Sequence, residues 1–205
     1  MPRPEIRRLL IATHNKGKLE EFRMLLAPLK IDIVSLNDMS INDCPEENGK
    51  SFAENSALKA KFYAQLSQEW VLADDSGLEV TALNGAPGIF SARFGGEGLS
   101  DRERTTALLE AIALSGNTDR SARFVCSLTL ADPKGKIAID AIGICEGEIA
   151  ASPRGSSGFG YDPIFIPKGK ILTFAEMSPD EKQAISHRAN AFRDFISKFH
   201  VFMGH

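Results

Sequence analysis

The chain has 205 residues, 43% of them hydrophobic and 25% charged, and a formal net charge of -3 at pH 7. This length and composition are those of one globular domain that can bury a core of its own, and the small negative charge without a Lys/Arg block argues against a nucleic-acid polymer as partner. The sequence has no apolar run of about 18 residues and no signal-peptide pattern at its N-terminus, so we expect a cytoplasmic protein with no membrane partner.

The first half of the chain alternates between strand and helix patterns. Apolar runs predict strands at residues 7–13, 31–36 and 70–75, and apolar residues at helical spacing predict helices at residues 16–29 and 51–66. Residues 84–98 are rich in Gly and Pro and are expected to form a loop. Strands that alternate with helices indicate parallel pairing.

The second half predicts a hairpin and a helical C-terminus. After a helix at residues 101–114, two long apolar segments at 120–131 and 136–148 are joined by the turn sequence DPKG. Ser178, Pro179 and Glu181 form a capping-box start for the last helical region. A hairpin beside parallel strands predicts an α/β fold with a mixed sheet flanked by helices. With no repeat or linker, residues 1–205 are expected to form a single domain.

Two adjacent carboxylates, Asp74 and Asp75, follow the third strand and precede a Ser-Gly pair. Each carboxylate raises the cost of ionising its neighbour. The pair could end the strand in a turn that faces water. Alternatively, it could hold a divalent cation at the end of a strand, where α/β sheets bind ligands.

A phosphate-binding pattern follows the first strand. Thr13, Asn15, Gly17 and Lys18 lead into a helix, whose free N–H groups and dipole favour an anion. The alternative is an ordinary Asn cap with solvated lysines. Glu46 and Glu47 precede the next helix, where acidic residues are also common because they complement the helix dipole.

Two further stretches could recognise a base or a sugar. The Gly-rich sequence RGSSGFGYDP allows close backbone approach, but it lacks the last glycine of the dinucleotide fingerprint. The sequence EKQAISHRANAF places Lys182, His187 and Arg188 on the last helical segments, where they could also be solvated helix charges. Cys44, Cys126 and Cys145 form no C-x-x-C pair, so neither a zinc knot nor a disulfide framework is expected.

Taken together and in this order, THNKGK, the acidic loop with Lys59 beyond it, ADDSGL, GAPGIFSARF, GFGYDP and EKQAISHR resemble the inosine triphosphate pyrophosphatase family. The resemblance covers nearly the whole chain. Two positions depart from the family pattern, because His14 stands where glycine is usual and Ser157 precedes Gly158 where two glycines are usual. Neither departure changes a group that is charged in the family.

The resemblance implies a fold with a cleft between two lobes, a homodimer, and hydrolysis of non-canonical purine nucleoside triphosphates such as ITP, dITP and XTP to the monophosphate and pyrophosphate. It implies Mg²⁺ held by Glu46 or Glu47 with Asp75, and Asp75 as proton acceptor with Asp74 in support. The implied phosphate ligands are Thr13, His14, Asn15, Lys16, Gly17, Lys18, Lys59 and Lys182. The implied sugar and base ligands are Ser76, Phe159, Gly160, Tyr161, Asp162, His187 and Arg188.

Within this resemblance, Phe159 would stack on the purine, and Arg188 or a backbone N–H would donate to the 6-keto oxygen. Adenine carries an amino group there, so an unpaired polar group would reject it. Three alternatives remain: a pyrophosphatase of related fold acting on pyrimidine or modified nucleotides, a non-catalytic nucleotide-binding protein, and an aspartyl phosphatase. The last expects Asp-x-Asp, whereas these carboxylates are adjacent.

Overall fold

The structure, a computed structural model, describes residues 6–204. Residues 1–5, which begin the N-terminal stretch without a signal-peptide pattern, and residue 205 lie outside the described residues. The strands are β1 (Arg8–Ala12), β2 (Asp32–Ser35), β3 (Trp70–Val80), β4 (Ser121–Ala131), β5 (Ile137–Ile149) and β6 (Phe165–Pro167). The helices are α1 (Lys16–Leu26), α2 (Phe52–Ser67), α3 (Asp101–Ser115), α4 (Pro179–Ile185) and α5 (His187–Met203).

The six strands form one sheet in the order β2-β1-β3-β4-β5-β6. β1 pairs in parallel with both β2 and β3, and β6 pairs antiparallel with β5. β4 and β5 are neighbours joined by a tight turn, in which the Asp132 N–H donates to the Lys136 carbonyl over 2.9 Å. The predicted α/β class with a mixed sheet is therefore confirmed.

The chain divides into two compact units. Of the described residues, the first unit holds 6–75, 126–143 and 189–204, and the second holds 76–125 and 144–188. β3, β4 and β5 contribute residues to both units. None of the described helices is long and apolar enough to cross a membrane.

In the first unit, alternate residues of β1 and β3 belong to two separate apolar clusters. One cluster contains Leu9, Ile11 and Leu72 together with side chains from α1 and α5. The other contains Leu10 and Val71 together with side chains from α2. Because successive side chains of a strand point to opposite faces, each helix covers the face that presents its own set of residues.

The core of the second unit is a separate cluster. Phe124 of β4 lies edge-on to Phe165 of β6, with ring centroids 4.7 Å apart. Leu78 and Val80 of β3 and Leu108 of α3 are fully buried in the same cluster. Burial of aromatic side chains of this size contributes much of the stability of a small core.

The prediction that the third strand ends at Asp75 is wrong, because β3 continues through Ser76 and Gly77 to Val80. Asp74 and Asp75 thus lie within a strand, and no turn follows them. Glycine is required at position 77 because Ser91, in the loop before α3, packs directly against the backbone there. A Cβ at this position would clash with Ser91. The Ser91 hydroxyl accepts a hydrogen bond from the Leu78 N–H over 2.9 Å.

Candidate active site

The segment between β1 and α1 is organised by side-chain caps. Asn15 is the N-cap of α1, and its side-chain oxygen accepts a hydrogen bond from the Lys18 N–H over 3.0 Å. The Thr13 hydroxyl accepts one from the Asn15 N–H over 3.2 Å. His14 and Lys16 are exposed. The cap fixes the start of the helix and directs Lys18 towards the sheet.

The two adjacent carboxylates face different lysines. Nζ of Lys18 lies 2.9 Å from Oδ2 of Asp74, and Nζ of Lys59 lies 2.8 Å from Oδ1 of Asp75. Lys18 belongs to α1 and Lys59 to α2, which cover opposite faces of this part of the sheet. Each negative charge is therefore balanced by its own cation.

The acidic loop before α2 contributes one of its two glutamates to this group. Oε2 of Glu47 lies 3.6 Å from Nζ of Lys59, so Glu47 and Asp75 share one ammonium group. Glu46 is exposed. Among the described residues no group of three or more His, Cys, Asp or Glu side chains is placed to hold a metal ion. Asp75 and Glu47 are therefore the two carboxylates that this group presents to a cation.

Burial and charge shift the pKa values of this pair. Burial raises the pKa of the Asp75 carboxyl, and the opposing Lys59 ammonium does not cancel that effect. For Lys59, burial lowers the pKa, but the carboxylates of Asp75, Asp74 and Glu47 outweigh it and raise the pKa overall. Lys59 therefore stays charged, while Asp75 is a more basic carboxylate than an exposed one.

One residue of this cluster was missed by the sequence analysis. Asn55 of α2 is completely buried, and its Nδ2 lies 3.3 Å from Oδ2 of Asp75. A signal was present, because Asn55 lies four residues before Lys59 and so on the same face of the helix. Buried amides in a helix that otherwise packs on a sheet need a polar partner.

In the second unit, Asp162 organises the Gly-rich loop. Its Oδ2 accepts hydrogen bonds from Nζ of Lys182 over 2.6 Å and from the Phe159 N–H over 2.9 Å. Nζ of Lys182 also lies 4.8 Å from the centroid of the Phe159 ring. A Cβ at Gly158 would clash with Asp162, so glycine is needed for the turn. The carboxylate thus joins α4 to the loop.

Arg188 also lies close to the Phe159 ring of this loop. It is 1% exposed, its Nη2 donates to the Ser76 hydroxyl over 3.0 Å, and its guanidinium carbon lies 5.8 Å from the Phe159 ring centroid. His187 is also buried, and its ring stacks on Phe124 at a centroid distance of 4.6 Å and an interplanar angle of 12°. These two residues are therefore part of the packed interior. The alternative that they are solvated charges on a helix surface is wrong for both.

Two further hydrogen bonds join the Gly-rich loop to the segment before α3 and to the start of α3. The Tyr161 hydroxyl donates to the Ser91 carbonyl over 2.8 Å, and the Gly160 N–H donates to Oδ2 of Asp101 over 2.7 Å. A cavity of about 640 Å³ lies between this loop and the first turn of α3. Cavities of this size take small molecules.

The predicted site residues thus fall into two clusters, one in each unit. The first-unit group is called the phosphate cluster after the role that the resemblance implies, and it contains Thr13, His14, Asn15, Lys16, Gly17, Lys18, Glu46, Glu47, Lys59, Asp74 and Asp75. The second-unit group is called the base cluster after the role implied for most of its members, and it contains Ser76, Phe159, Gly160, Tyr161, Asp162, Lys182, His187 and Arg188. The two are consecutive along the chain, because Asp75 is the last residue of the first unit's opening segment and Ser76 begins the second unit.

Comparison with known proteins identifies relatives over almost the whole chain. A protein named dITP/XTP pyrophosphatase from Exiguobacterium sp. is 48% identical over 198 residues, which cover 96% of this chain and 98% of the relative. A protein of the same name from Synechocystis sp. is 48% identical over 192 residues, covering 93% and 94% of the two chains.

Solved structures agree with these relatives. A HAM1 protein from Coxiella burnetii matches with a TM-score of 0.86 and 41% identity, over 95% of this chain and 98% of that one. The Staphylococcus aureus Ham1 protein matches with a TM-score of 0.80 and 38% identity, over 95% and 97%. The Ham1 family model matches residues 9–198. The resemblance found in the sequence motifs is thereby confirmed, and this chain belongs to the Ham1 family.

Proposed function

We propose that this protein hydrolyses non-canonical purine nucleoside triphosphates (ITP, dITP and XTP) to the nucleoside monophosphate and pyrophosphate. One observation carries the proposal: Asp75 is a buried carboxylate of raised pKa that shares the Lys59 ammonium with Glu47. Carboxylates and lysines grouped in this way suit a triphosphate and a divalent cation. The names of the relatives supply the substrate class.

The donor set of the phosphate cluster fits Mg²⁺. This ion is usually bound by one or two carboxylates and completes its coordination with water and phosphate oxygens. Asp75 and Glu47 would hold it, and Glu46 in the same loop is the alternative to Glu47. When bound, Mg²⁺ would neutralise phosphate oxygens and so stabilise the charge of the transition state.

The chain's own residues would position the reacting groups. A carboxylate oxygen of Asp75 would accept the proton of a water that attacks the α-phosphorus, and the bond from that phosphorus to the bridging oxygen would break, releasing pyrophosphate. Asp75 is buried, and its hydrogen bonds with Lys59 and Asn55 hold its carboxylate in a fixed position for this step. Lys18, Lys59 and the N-terminus of α1 would balance the negative charge of the phosphates.

The base cluster would select the nucleobase. Phe159 offers an aromatic face for stacking, and Arg188 offers donors to a 6-keto oxygen. Lys182 is one of the phosphate ligands implied by the resemblance, yet it lies against Asp162 and the Phe159 ring. We therefore propose that Lys182 supports the base cluster and holds the Gly-rich loop.

We further propose that residues 1–205 act as one functional domain, that the protein is a homodimer, and that it works in the cytoplasm on the nucleotide pool. Light scattering of the purified protein tests the homodimer. A molecular mass near the 22.3 kDa of a single chain would contradict it.

Product analysis tests the activity directly. The protein is incubated with ITP, dITP, XTP, ATP, GTP, UTP and CTP, with and without Mg²⁺, and the products are separated by anion-exchange chromatography. The proposal expects IMP and pyrophosphate in equal amounts from ITP, with Mg²⁺ required. IDP and orthophosphate would show attack at the γ-phosphorus instead, and faster turnover of UTP or CTP would favour a pyrimidine nucleotide pyrophosphatase.

A further inference from the structure

Asn55 connects the loop that carries the acidic residues to the carboxylate proposed as the base. Its side chain has no exposed surface, and it makes two hydrogen bonds. Its Oδ1 accepts from the Gly49 N–H over 2.9 Å, and its Nδ2 donates to Oδ2 of Asp75 over 3.3 Å. Gly49 lies two residues after Glu47 in the same loop.

The orientation of this amide is fixed by its partners. A backbone N–H can only donate, so Oδ1 of Asn55 must face Gly49, and the Nδ2 protons must then face Asp75. An ionised carboxylate only accepts hydrogen bonds, so it is the complementary partner. The two oxygens of Asp75 are thereby divided, because Oδ1 faces Lys59 and Oδ2 faces Asn55.

The loop is held on α2 at two successive residues. Besides the bond from Gly49, the Lys50 N–H donates to Oε2 of Glu54 over 2.7 Å. A Cβ at Gly49 would clash with Oδ1 of Asn55, so the loop can approach the helix this closely only with glycine at that position. The position of Glu47 is thus tied to that of Asp75 through one buried amide.

We propose that Asn55 is a positioning residue for hydrolysis: it orients the Asp75 carboxylate and fixes the Glu47 loop relative to it. This inference rests on the proposed function, because it assigns Asn55 a part in that reaction. Side chains that hydrogen-bond to metal-ligating residues typically contribute 10-fold to 100-fold to metal affinity or activity, and Asp75 is proposed as such a ligand.

The chain supplies a matched control on the next residue of α2. Ser56 is also fully buried, and its hydroxyl bonds with the hydroxyls of Thr129 over 2.8 Å and Ser127 over 3.1 Å. It contacts neither the loop nor Asp75 in any described hydrogen bond. Ser56→Ala therefore measures the general cost of removing a buried polar group from this helix.

Steady-state kinetics on ITP give the first test. Asn55→Ala should lower kcat by at least about 10-fold with KM within about threefold, because it disturbs the reacting groups and leaves the base cluster unchanged. Ser56→Ala should keep kcat within about twofold of the parent protein. If Asn55→Ala and Ser56→Ala have equal kcat values, the positioning role is refuted.

Asn55→Asp gives a second test that keeps the loop in place. Its side chain has the same shape and still accepts from the Gly49 N–H, but its other oxygen either repels the Asp75 carboxylate or, when protonated, shares its proton with it, so Asp75 is a poorer base in both cases. We expect kcat to fall at least as far as in Asn55→Ala, with circular dichroism spectra unchanged. A kcat within about twofold of the parent protein would overturn the proposal even if Asn55→Ala fails to fold.

A third measurement needs neither substrate nor metal. Urea unfolding midpoints are compared for three single variants, Asn55→Ala, Ser56→Ala and Asp75→Ala. The two double variants, Asn55→Ala/Asp75→Ala and Ser56→Ala/Asp75→Ala, are measured in the same way. The shift caused by Asn55→Ala should shrink when Asp75 is already absent, whereas the shift caused by Ser56→Ala should not. Additive shifts for Asn55 would contradict the inference. If the parent protein shows this coupling but does not hydrolyse ITP, the proposed function is contradicted instead.

Discussion

Lys18 and Asp74 form a nearly buried ion pair, with Nζ and Oδ2 2.9 Å apart and side-chain exposures of 17% and 1%. The pair resolves the repulsion expected between adjacent aspartates. Strand geometry turns Asp74 and Asp75 to opposite faces of the sheet, and a different helix covers each face with its own lysine. The next residue, Asp75, is matched by Lys59 in the same way.

Replacing Lys18 with methionine should separate its structural role from its chemical one. Lys18→Met keeps most of the length of the side chain but removes the ammonium group from beside buried Asp74, so we expect a loss of about 3 kcal/mol in the free energy of unfolding. The double variant Lys18→Met/Asp74→Asn should recover most of that stability, because the buried negative charge is then removed together with the lysine. Urea unfolding measures both.

The activity of that double variant should not recover. Lys18 is proposed to balance phosphate charge in the transition state, so kcat for ITP should stay at least about 10-fold below the parent protein even when stability returns. Recovery of kcat together with stability would mean that Lys18 acts only through the ion pair.

Asp75→Asn should lower kcat by at least about 100-fold, because the amide keeps the shape but can neither accept a proton nor bind a cation as strongly. Asp74→Asn is the control, since its carboxylate faces Lys18 on the opposite side of the strand, and its effect should be smaller. Single-turnover hydrolysis of ITP measures both. Activity of Asp75→Asn within a few-fold of the parent protein would reduce Asp75 to a structural partner of Lys59.

Patterns within single segments predicted most of the elements. The apolar spacing around Phe22 and Phe62 predicted α1 and α2 to within a few residues, and the capping box at Ser178 marked the start of α4. The sequence missed β6, which has only three residues and depends on pairing with β5. Such short strands leave almost no local pattern.

Long-range contacts explain what the sequence could not predict. Ser76 and Gly77 are turn formers by composition, yet β3 continues through them. Ser91, which is 13 residues after Leu78, accepts the Leu78 N–H and leaves room only for glycine at position 77. The spacing of Asn55 from Lys59 indicated a shared helix face, but its hydrogen-bond partners could not be predicted because both lie outside its helix. The charged residues of the proposed site were named from the family resemblance, because each motif taken alone also had a structural interpretation.

Thiol labelling should find one reactive cysteine in the native protein. Cys44 is exposed, whereas Cys126 and Cys145 are buried, and burial raises the pKa of the Cys145 thiol to about 11. Because only the thiolate reacts, Cys145 should stay unlabelled at pH 8. Ellman's reagent should release one equivalent before unfolding and three in guanidinium chloride. If the reagent labels the two remaining thiols of native Cys44→Ser, the burial of Cys126 and Cys145 is contradicted.

The same pKa shift has a consequence for stability at alkaline pH. A thiol whose pKa is raised on folding holds its proton in the native state while the unfolded chain has already released it. Its contribution is therefore fully present below pH 9.0 and is lost as the pH rises towards about 11. Urea midpoints of Cys145→Ala should fall less steeply than those of the parent protein over this range. Equal slopes would show that Cys145 keeps its ordinary pKa.

Base selection should depend on Arg188 and base affinity on Phe159. Arg188 is buried, is held by the Ser76 hydroxyl, and lies near the Phe159 ring, so its donors are fixed in direction. Arg188→Met fills similar volume without donors. It should reduce the ratio of kcat/KM for ITP to that for ATP, because pairing with a 6-keto oxygen is the contact that distinguishes the two bases.

Phe159→Ala is the matched comparison. Stacking on an aromatic ring is worth about 1 to 3 kcal/mol per base and does not depend on the group at position 6, so KM should rise for both nucleotides while their ratio stays within about threefold. In both variants kcat should change little, since neither residue faces the reacting phosphorus in the proposed mechanism. Steady-state kinetics on ITP and ATP for the two variants measure all of these quantities. An unchanged ratio in Arg188→Met would remove Arg188 from base selection and leave a backbone N–H group as the donor to test next.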